Sequence, residues 1–423
     1  MDNKDMLGRA GLVTVEEAGN IFHAGYVVPE PGRETVGITD ALRRVLASDV
    51  VSTVTLPAFT RSSMDGYAVA AKDTFGATDS MPAYLNLAGE IQMGEEALAP
   101  IGKGQAFGIS TGGMLPPGAD AVVMLEHSER LPDGTLEVHR PVAPGDNIVQ
   151  QGEDVRQGDV LLTAGHRIRP QDMGALAGIG VTSISVCVRP RVAIINTGNE
   201  IVEADKVPMP GQVRDINSYN LAGLVAHAGG LPVQMGIFRD EYTAIRDAVE
   251  SATEKADVVA ITGGSSVGTR DLTARVINDL GPPGVLVHGV SVRPGKPVII
   301  GVAGAKPVFG LPGHPVAVTV SFELFVRPLI KRLSGLVDPL GLSGIPPVRV
   351  VRARMARNYS SSPGREDHIR VALELRDGEH WARPILGRSG LITTLVKAHG
   401  SVVIPLSVNG LVKGDWVDVE LFD

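Results

Sequence analysis

Glu200, Asp240 and Asp271 each stand beyond an apolar run: "RVAIINTGNE", "LPVQMGIFRD" and "DVVAITGGSSVGTRD". If those runs are strands of one sheet, the three carboxylates collect at its carboxyl rim although they are distant in sequence. Hard oxygen ligands of this kind suit magnesium, which takes one or two carboxylates and completes its shell with water and substrate phosphate. Singly, each acid is more often a helix-start or solvated loop residue; three at matching positions favour a site. In the third run Gly263, Gly264 and Ser265 lie between a strand and a helix, where bare backbone and the helix start can hold an oxyanion. A plain glycine-rich turn is the competing account, since neither GxGxxG nor GxxxxGK[ST] is present. "SVRPGKPV" adds Arg293 and Lys296 on a stiff bend, able to neutralise phosphate or a metal oxyanion, or merely to sit in water. "GLPGHPV" is a second rigid loop, with Pro312 and then Pro315 entering a helix near His314.

Two further stretches are ambiguous alone. In "TRSSMDGYAVA" Asp65 precedes Gly66, a common turn pair. Thr111 opens the small-residue bend "TGG", and Glu153 and Asp154 follow Gly152. The sequence has no adjacent Ser, His and acid pattern and no paired cysteine motif, so covalent hydrolysis and thiol redox chemistry lack support.

The elements that must present these residues form four regions. Residues 1–55 and 165–187 make a discontinuous opening domain, in which "GITDALRRVLAS" has helical spacing from Ile38 to Leu46 with Thr39 as a cap. Residues 56–164 are short apolar pieces broken by Gly and Pro, expected as an inserted, mostly β module. Residues 188–337 alternate strands and helices, the pattern of a parallel or mixed α/β sheet covered on both faces. After the Gly- and Pro-rich linker 338–347, residues 346–423 suggest a compact β domain, barrel or sandwich. The fold class is thus multidomain α/β and β.

A formal charge of -8 over 423 residues argues against nonspecific nucleic-acid or acidic-membrane binding. Cys187 is the single cysteine, so no intrachain disulfide forms, and a reducing, cytoplasmic setting is expected. The first residues lack the pattern of a signal peptide, and no apolar run reaches membrane-spanning length.

The order "PAFTRSSMDGYAV", "STGGMLPPGADAVVM", "QQGEDV", "NTGNEI", "VRDINSYN", "ITGGSSVGTRD", "RPGKPV", "GLPGHPV" resembles the molybdopterin molybdenumtransferase family over nearly the whole chain. The resemblance implies an elongated homodimer whose partner subunit helps form the cleft. It also implies conversion of adenylyl-molybdopterin and molybdate to molybdenum cofactor and AMP with Mg2+ or a similar ion, and molybdoenzymes or their chaperones as recipients. It assigns function to Asp65, Thr111, Glu200, Asp240 and Asp271, cationic contacts to Arg293 and Lys296, a partner loop to Pro312 and Pro315, and metal-oxyanion contacts to Arg365 and Ser389. Two positions depart from the pattern. Gly289 replaces an expected lysine, and His314 stands where many relatives have asparagine. A noncatalytic molybdopterin-binding scaffold, a tungstate-preferring paralogue and a related nucleotide or pterin hydrolase remain as alternatives. Metal transfer coupled to AMP release would separate them.

Overall fold

A computed structural model describes residues 11–263, 267–336 and 349–422. The chain divides into two compact units, one of residues 35–42 and 46–186, the other of the remainder.

In the first unit six short strands form a sheet in the order Ala121–Met124, Gly66–Val69, Gln105–Ile109, Ala83–Glu90, Thr135–Val138, Ser128–Arg130. Neighbours are antiparallel except Ala83–Glu90 with Gln105–Ile109. The two-residue period of a strand explains why both faces are buried. Val69 and Val123 enter a core with Leu85, Leu136 and Val138, while Ala68 and Val122 enter another with Ile109 and Leu115. A third core gathers Ala41, Leu46, Ile168, Ile184 and Val186 around Leu176 of the helix Pro170–Gly178. Pro170 starts that helix because its missing N–H is not needed there.

The expected helix over Ile38–Leu46 is not formed. A single 3-10 turn covers Ile38–Asp40, Arg43 takes φ 64°, and Leu46 makes a β-bridge to Val186. Long-range demands win over local spacing: Leu46 is wanted beside Val186, and buried Arg44 pairs with Glu34 and donates to the Cys187 carbonyl at 2.8 Å.

The second unit opens with a helix, Val15–Gly25, closed by a capping box between Thr14 and Glu17. Its mixed sheet runs Leu231–Phe238, Arg191–Thr197, Val258–Gly263, Lys306–Leu311, Ile299–Ala303, Gly284–His288. The first four are mutually parallel, and the hairpin formed by the last of these with Ile299–Ala303 introduces antiparallel pairing. Val192 and Ile194 face a core with Phe309, Phe322, the helix Asn217–Ala228 and the opening helix; Ala193 and Ile195 face one with Tyr242–Lys255 and Val267–Asp279. Fully buried side chains such as Phe309 each stabilise by about 2–3 kcal/mol.

Beyond residue 348 the β domain is a closed barrel. Glu366–Arg376, Glu379–Pro384, Val350–Met355, Trp416–Leu421 and Gly400–Ile404 follow one another, and the last pairs back to the first. Val292–Arg293 adds alongside Glu366–Asp367 in parallel, which joins the "RPGKP" loop to the barrel. The predicted linker 338–347 lies outside the described residues. Among the described residues no helix is long and apolar enough to cross a membrane.

Candidate functional site

The parallel sheet brings the predicted acidic loops together. Thr197 pairs with Phe238 on one side and Gly263 on the other, so three strand ends are level. Beyond them, the Gly198 N–H donates to the Phe238 carbonyl at 3.1 Å and the Asp240 N–H to Asn199 Oδ1 at 3.4 Å. Glu200 is exposed, Asp240 half-buried, and Asp271 is exposed within the helix Val267–Asp279. Among the described residues these three carboxylates do not form a group with all ligand atoms within 4.8 Å of one another. Among the described residues, the group of three whose ligand atoms all lie within 4.8 Å of one another is Glu129, Glu137 and His139, half-buried to exposed on the inserted sheet. That group also offers oxygen and nitrogen to a divalent cation. Gly264 and Ser265 lie outside the described residues. Gly263 is held at φ +126° with Thr197 O 1.9 Å from where a Cβ would sit, so no other residue fits there.

Under the rim runs a buried polar network built by "VRDINSYN". Asn196 Nδ2 donates to Asp215 Oδ1 at 2.7 Å, and the same oxygen accepts from the Ser218 N–H at 3.0 Å. Asn217 Nδ2 donates to Thr262 Oγ1 at 3.0 Å and to the Gly313 carbonyl at 2.8 Å, while the Thr262 hydroxyl donates to the Pro312 carbonyl at 3.1 Å. Thus the "GLPGHP" loop is tied to the strand ends. Sequence reasoning missed Asp215 and Asn217 as positioning residues; the signal was a polar run between a buried strand and a helix.

Pro312 leads into a cleft of about 1060 Å³ that also contains Arg293, Lys296, His314, Arg365 and Ser389. The cleft joins residues predicted separately from distant stretches. Its acidic lining residue is Asp367, 1% exposed, set against Arg293, Lys296, Arg365, Arg370 and Arg388. Asp367 accepts from the Ser361 hydroxyl and lies 3.5 Å from Arg293 and 3.8 Å from Arg365. Burial, with nearby Arg293, pulls the Arg370 pKa down. The buried Arg365 Nε faces Asp367 Oδ1 at 3.8 Å, too far for a hydrogen bond, and the buried Arg370 Nε has no acceptor among the described residues. A lining with five cationic side chains and one carboxylate suits an oxyanion. Asp367 and Arg370 were not anticipated: in "DHIRVALEL" they read as ordinary strand alternation.

His314 Nδ1 and Ser389 Oγ are 2.8 Å apart, and the Val316 N–H donates to the Ser389 carbonyl at 3.1 Å. Pro315 begins the helix Pro315–Ser321. The departure at Gly289 has a steric account. Its φ is +95°, and a Cβ there would lie 2.8 Å from Leu12 Cδ2, so a lysine is strained at this point.

Asp65 and Thr111 belong to the first unit. Asp65 Oδ1 accepts from the Thr111 N–H at 2.6 Å and from its hydroxyl at 3.0 Å. These bonds, the backbone one foremost, hold the Asp65 carboxyl below the usual carboxylate range. Gly66 is not a turn glycine. It lies in the strand Gly66–Val69, where a Cβ would come 2.0 Å from the Val123 carbonyl oxygen. Glu153 closes a local turn by accepting from the Gln150 N–H.

Family models cover most of the chain: the MoeA N-terminal region (domain I and II) at residues 13–180, the probable molybdopterin binding domain at 193–332, and the MoeA C-terminal region (domain IV) at 352–422. The molybdopterin molybdenumtransferase of Bacillus subtilis is 33% identical over 98% of this chain and 95% of its own. A molybdopterin biosynthesis protein of Methanocaldococcus jannaschii is 38% identical over 91% of each chain. A crystal structure of the molybdopterin biosynthesis MoeA protein from Pyrococcus horikoshii superposes with a TM-score of 0.82 at 31% identity, covering 97% of this chain and 100% of that one. The matched regions, in the order that the barrel, the α/β sheet and the inserted β module require, make this chain a member of the molybdopterin molybdenumtransferase family, enzymes of molybdenum cofactor biosynthesis.

Proposed function

We propose that the enzyme inserts molybdate into adenylyl-molybdopterin and releases AMP. The observation that carries this is the cleft lined by Arg293, Lys296, Arg365, Arg370 and Arg388 against the one carboxylate of Asp367, a lining that calls for negative charge. Molybdate, an anion with acceptor oxygens only, meets that need, with Arg293 and Lys296 adding charge at the cleft and Ser389 a hydroxyl. Pro312 and Pro315 keep the adjoining loop stiff, and Thr262 and Asn217 bind that loop to the strand ends. Pterin phosphate and adenylate then fall to the rim at Gly263, which the small residues Gly264 and Ser265 follow in the sequence.

Glu200, Asp240 and Asp271 fit Mg2+ in donor chemistry: each offers hard carboxylate oxygens, and Mg2+ completes its shell with water and substrate phosphate. Bound there, Mg2+ would supply positive charge to the phosphoanhydride. The protein's own residues orient the two substrates and hold their negative charge. The dithiolene sulfurs belong to the pterin, so no protein thiol is required. Buried Cys187, whose thiol pKa burial raises, is suited to packing. Asp65, presented by the first unit, acts as a functional carboxylate, and a homodimer supplies the composite cleft.

The test uses purified enzyme, adenylyl-molybdopterin, Mg2+ and either molybdate or tungstate. AMP is followed by chromatography and pterin-bound metal by elemental analysis. Coupled appearance of AMP and bound metal supports insertion and reveals the preferred anion. AMP without metal transfer points to a hydrolase; binding without either product points to a scaffold.

A further inference from the structure

The His314–Ser389 contact does something that neither residue does alone. We propose that His314 is a positioning residue that sets the direction of the Ser389 hydroxyl, and through it the affinity of the cleft for its oxyanion. The proposal rests on the anion-site reading above.

A serine hydroxyl has one hydrogen and can aim it at one acceptor. At 2.8 Å, Ser389 Oγ and His314 Nδ1 are hydrogen-bonded, so one of them donates. If Nδ1 carries no hydrogen, the Ser389 hydrogen is committed to it and a lone pair turns toward the cleft, where an oxyanion is repelled. If Nδ1 carries a hydrogen, it donates to Oγ and frees the hydroxyl hydrogen for the anion. The contact is well placed to act this way. The Val316 N–H holds the Ser389 carbonyl, and the 2.8 Å contact keeps the Ser389 side chain beside His314. A Cβ on Gly390 would lie 3.7 Å from His314 Cδ2, so the ring has backbone at one edge, yet His314 is exposed and can exchange protons with water.

Protonation of a histidine puts a hydrogen on Nδ1, whereas the neutral ring with its one hydrogen on Nε2 leaves Nδ1 to accept. The groups that face His314 across the cleft are Arg293, Lys296, Arg365, Arg370 and Arg388, with Asp367 as carboxylate and His368 bonded to Glu366 at 2.7 Å. Arginine and lysine keep their charge between mildly acid and mildly alkaline pH. Asparagine offers an amide N–H and a carbonyl oxygen whose roles do not change with pH, so its contact with Ser389 should be independent of pH.

The experiment measures tungstate binding to the full-length enzyme by calorimetry at about pH 6 and about pH 8. Wild type, His314→Asn, His314→Ala and Ser389→Ala are compared, with thermal melts to verify folding. Wild type should bind about tenfold more tightly at the lower pH, the range of one charge-assisted hydrogen bond. His314→Asn should remove that dependence while keeping affinity within about threefold of the tighter wild-type value. His314→Ala, which leaves the hydroxyl hydrogen free, should bind without pH dependence and more tightly than wild type at the higher pH, and Ser389→Ala should lose the dependence although His314 is retained. If His314→Asn keeps the wild-type slope, or Ser389→Ala does, the proposal is overturned, because another group or the imidazole charge itself is responsible. Absence of saturable tungstate binding by the wild type would overturn the anion-site reading, and this proposal with it.

Discussion

Asp65 accepts two hydrogen bonds on one oxygen, and its second oxygen makes no contact with Thr111. A carboxylate that only shaped a turn would bond within its own loop; this one reaches Thr111, 46 residues away. Its lowered pKa favours the ionised form, the form needed to orient a cation or a hydroxyl donor. We expect Asp65→Ala to lower turnover by roughly 10²-fold or more, the usual scale for a positioned acid, base or charge. Its melting temperature should stay close to wild type because the side chain is exposed. Thr111→Val removes the hydroxyl bond and leaves the N–H bond, so it should cost less than about tenfold in turnover. AMP release measured on the folded variants decides the matter: wild-type turnover in Asp65→Ala would reduce Asp65 to a structural residue.

At the scale of elements, legibility followed how locally each choice is made. The alternation over residues 191–333 could be read because "VAIINT" and "VVAITG" are contiguous apolar runs, as strands buried on both faces must be, and the helices between them keep their own period. Ile38–Leu46 misled because its apolar spacing fits a helix, whereas Arg44 is turned toward Glu34 and Leu46 toward Val186, contacts that no local pattern announces. The same reason hid Asp367: its meaning comes from Arg293, which reaches it through strand pairing between domains of the same unit. Where an element is locally over-determined, substitution effects follow directly. Gly263→Ala must accommodate both a strained φ and a backbone clash at the strand end, so a loss of about 3–5 kcal/mol in denaturant unfolding is expected. In the helix Pro170–Gly178, burial would raise the Asp172 pKa, but hydrogen bonds from Arg169 and His166 bring it down to about 2. Because the folded value is below the unfolded one, this stabilisation is complete above about pH 4 and is lost as pH falls toward 2. Asp172→Asn should therefore narrow its stability gap to wild type by about 2 kcal/mol over that window, read from urea midpoints at successive pH values. A gap independent of pH would mean that the carboxylate contributes shape rather than charge.

For the whole molecule, the division into two units separates stability from chemistry. The unit of residues 35–42 and 46–186 owns three apolar cores, the pair flanking its six-stranded sheet and the one around Leu176. Each is assembled from side chains within that unit, so a fragment of residues 35–186 should fold without the rest. Its Arg44 would lack Glu34 and the Cys187 carbonyl, but excision opens that side chain to water, and no charge is left buried without a partner. The fragment should show dispersed amide resonances and a single urea transition with a slope of about 1–3 kcal/mol per molar, as expected for a domain of this size. It should also keep Asp65 and Thr111 bonded, since both lie inside it. Yet it carries none of Arg293, Lys296, Arg365, Arg370 and Ser389, so it should bind no tungstate and release no AMP. A fragment that folds and is inert would locate anion capture in the other unit and leave Asp65 as a contributor to a site it cannot form by itself. A fragment that collapses into a dye-binding, uncooperative state would show instead that these cores close only within the intact chain, and the separation argued from core membership would fail.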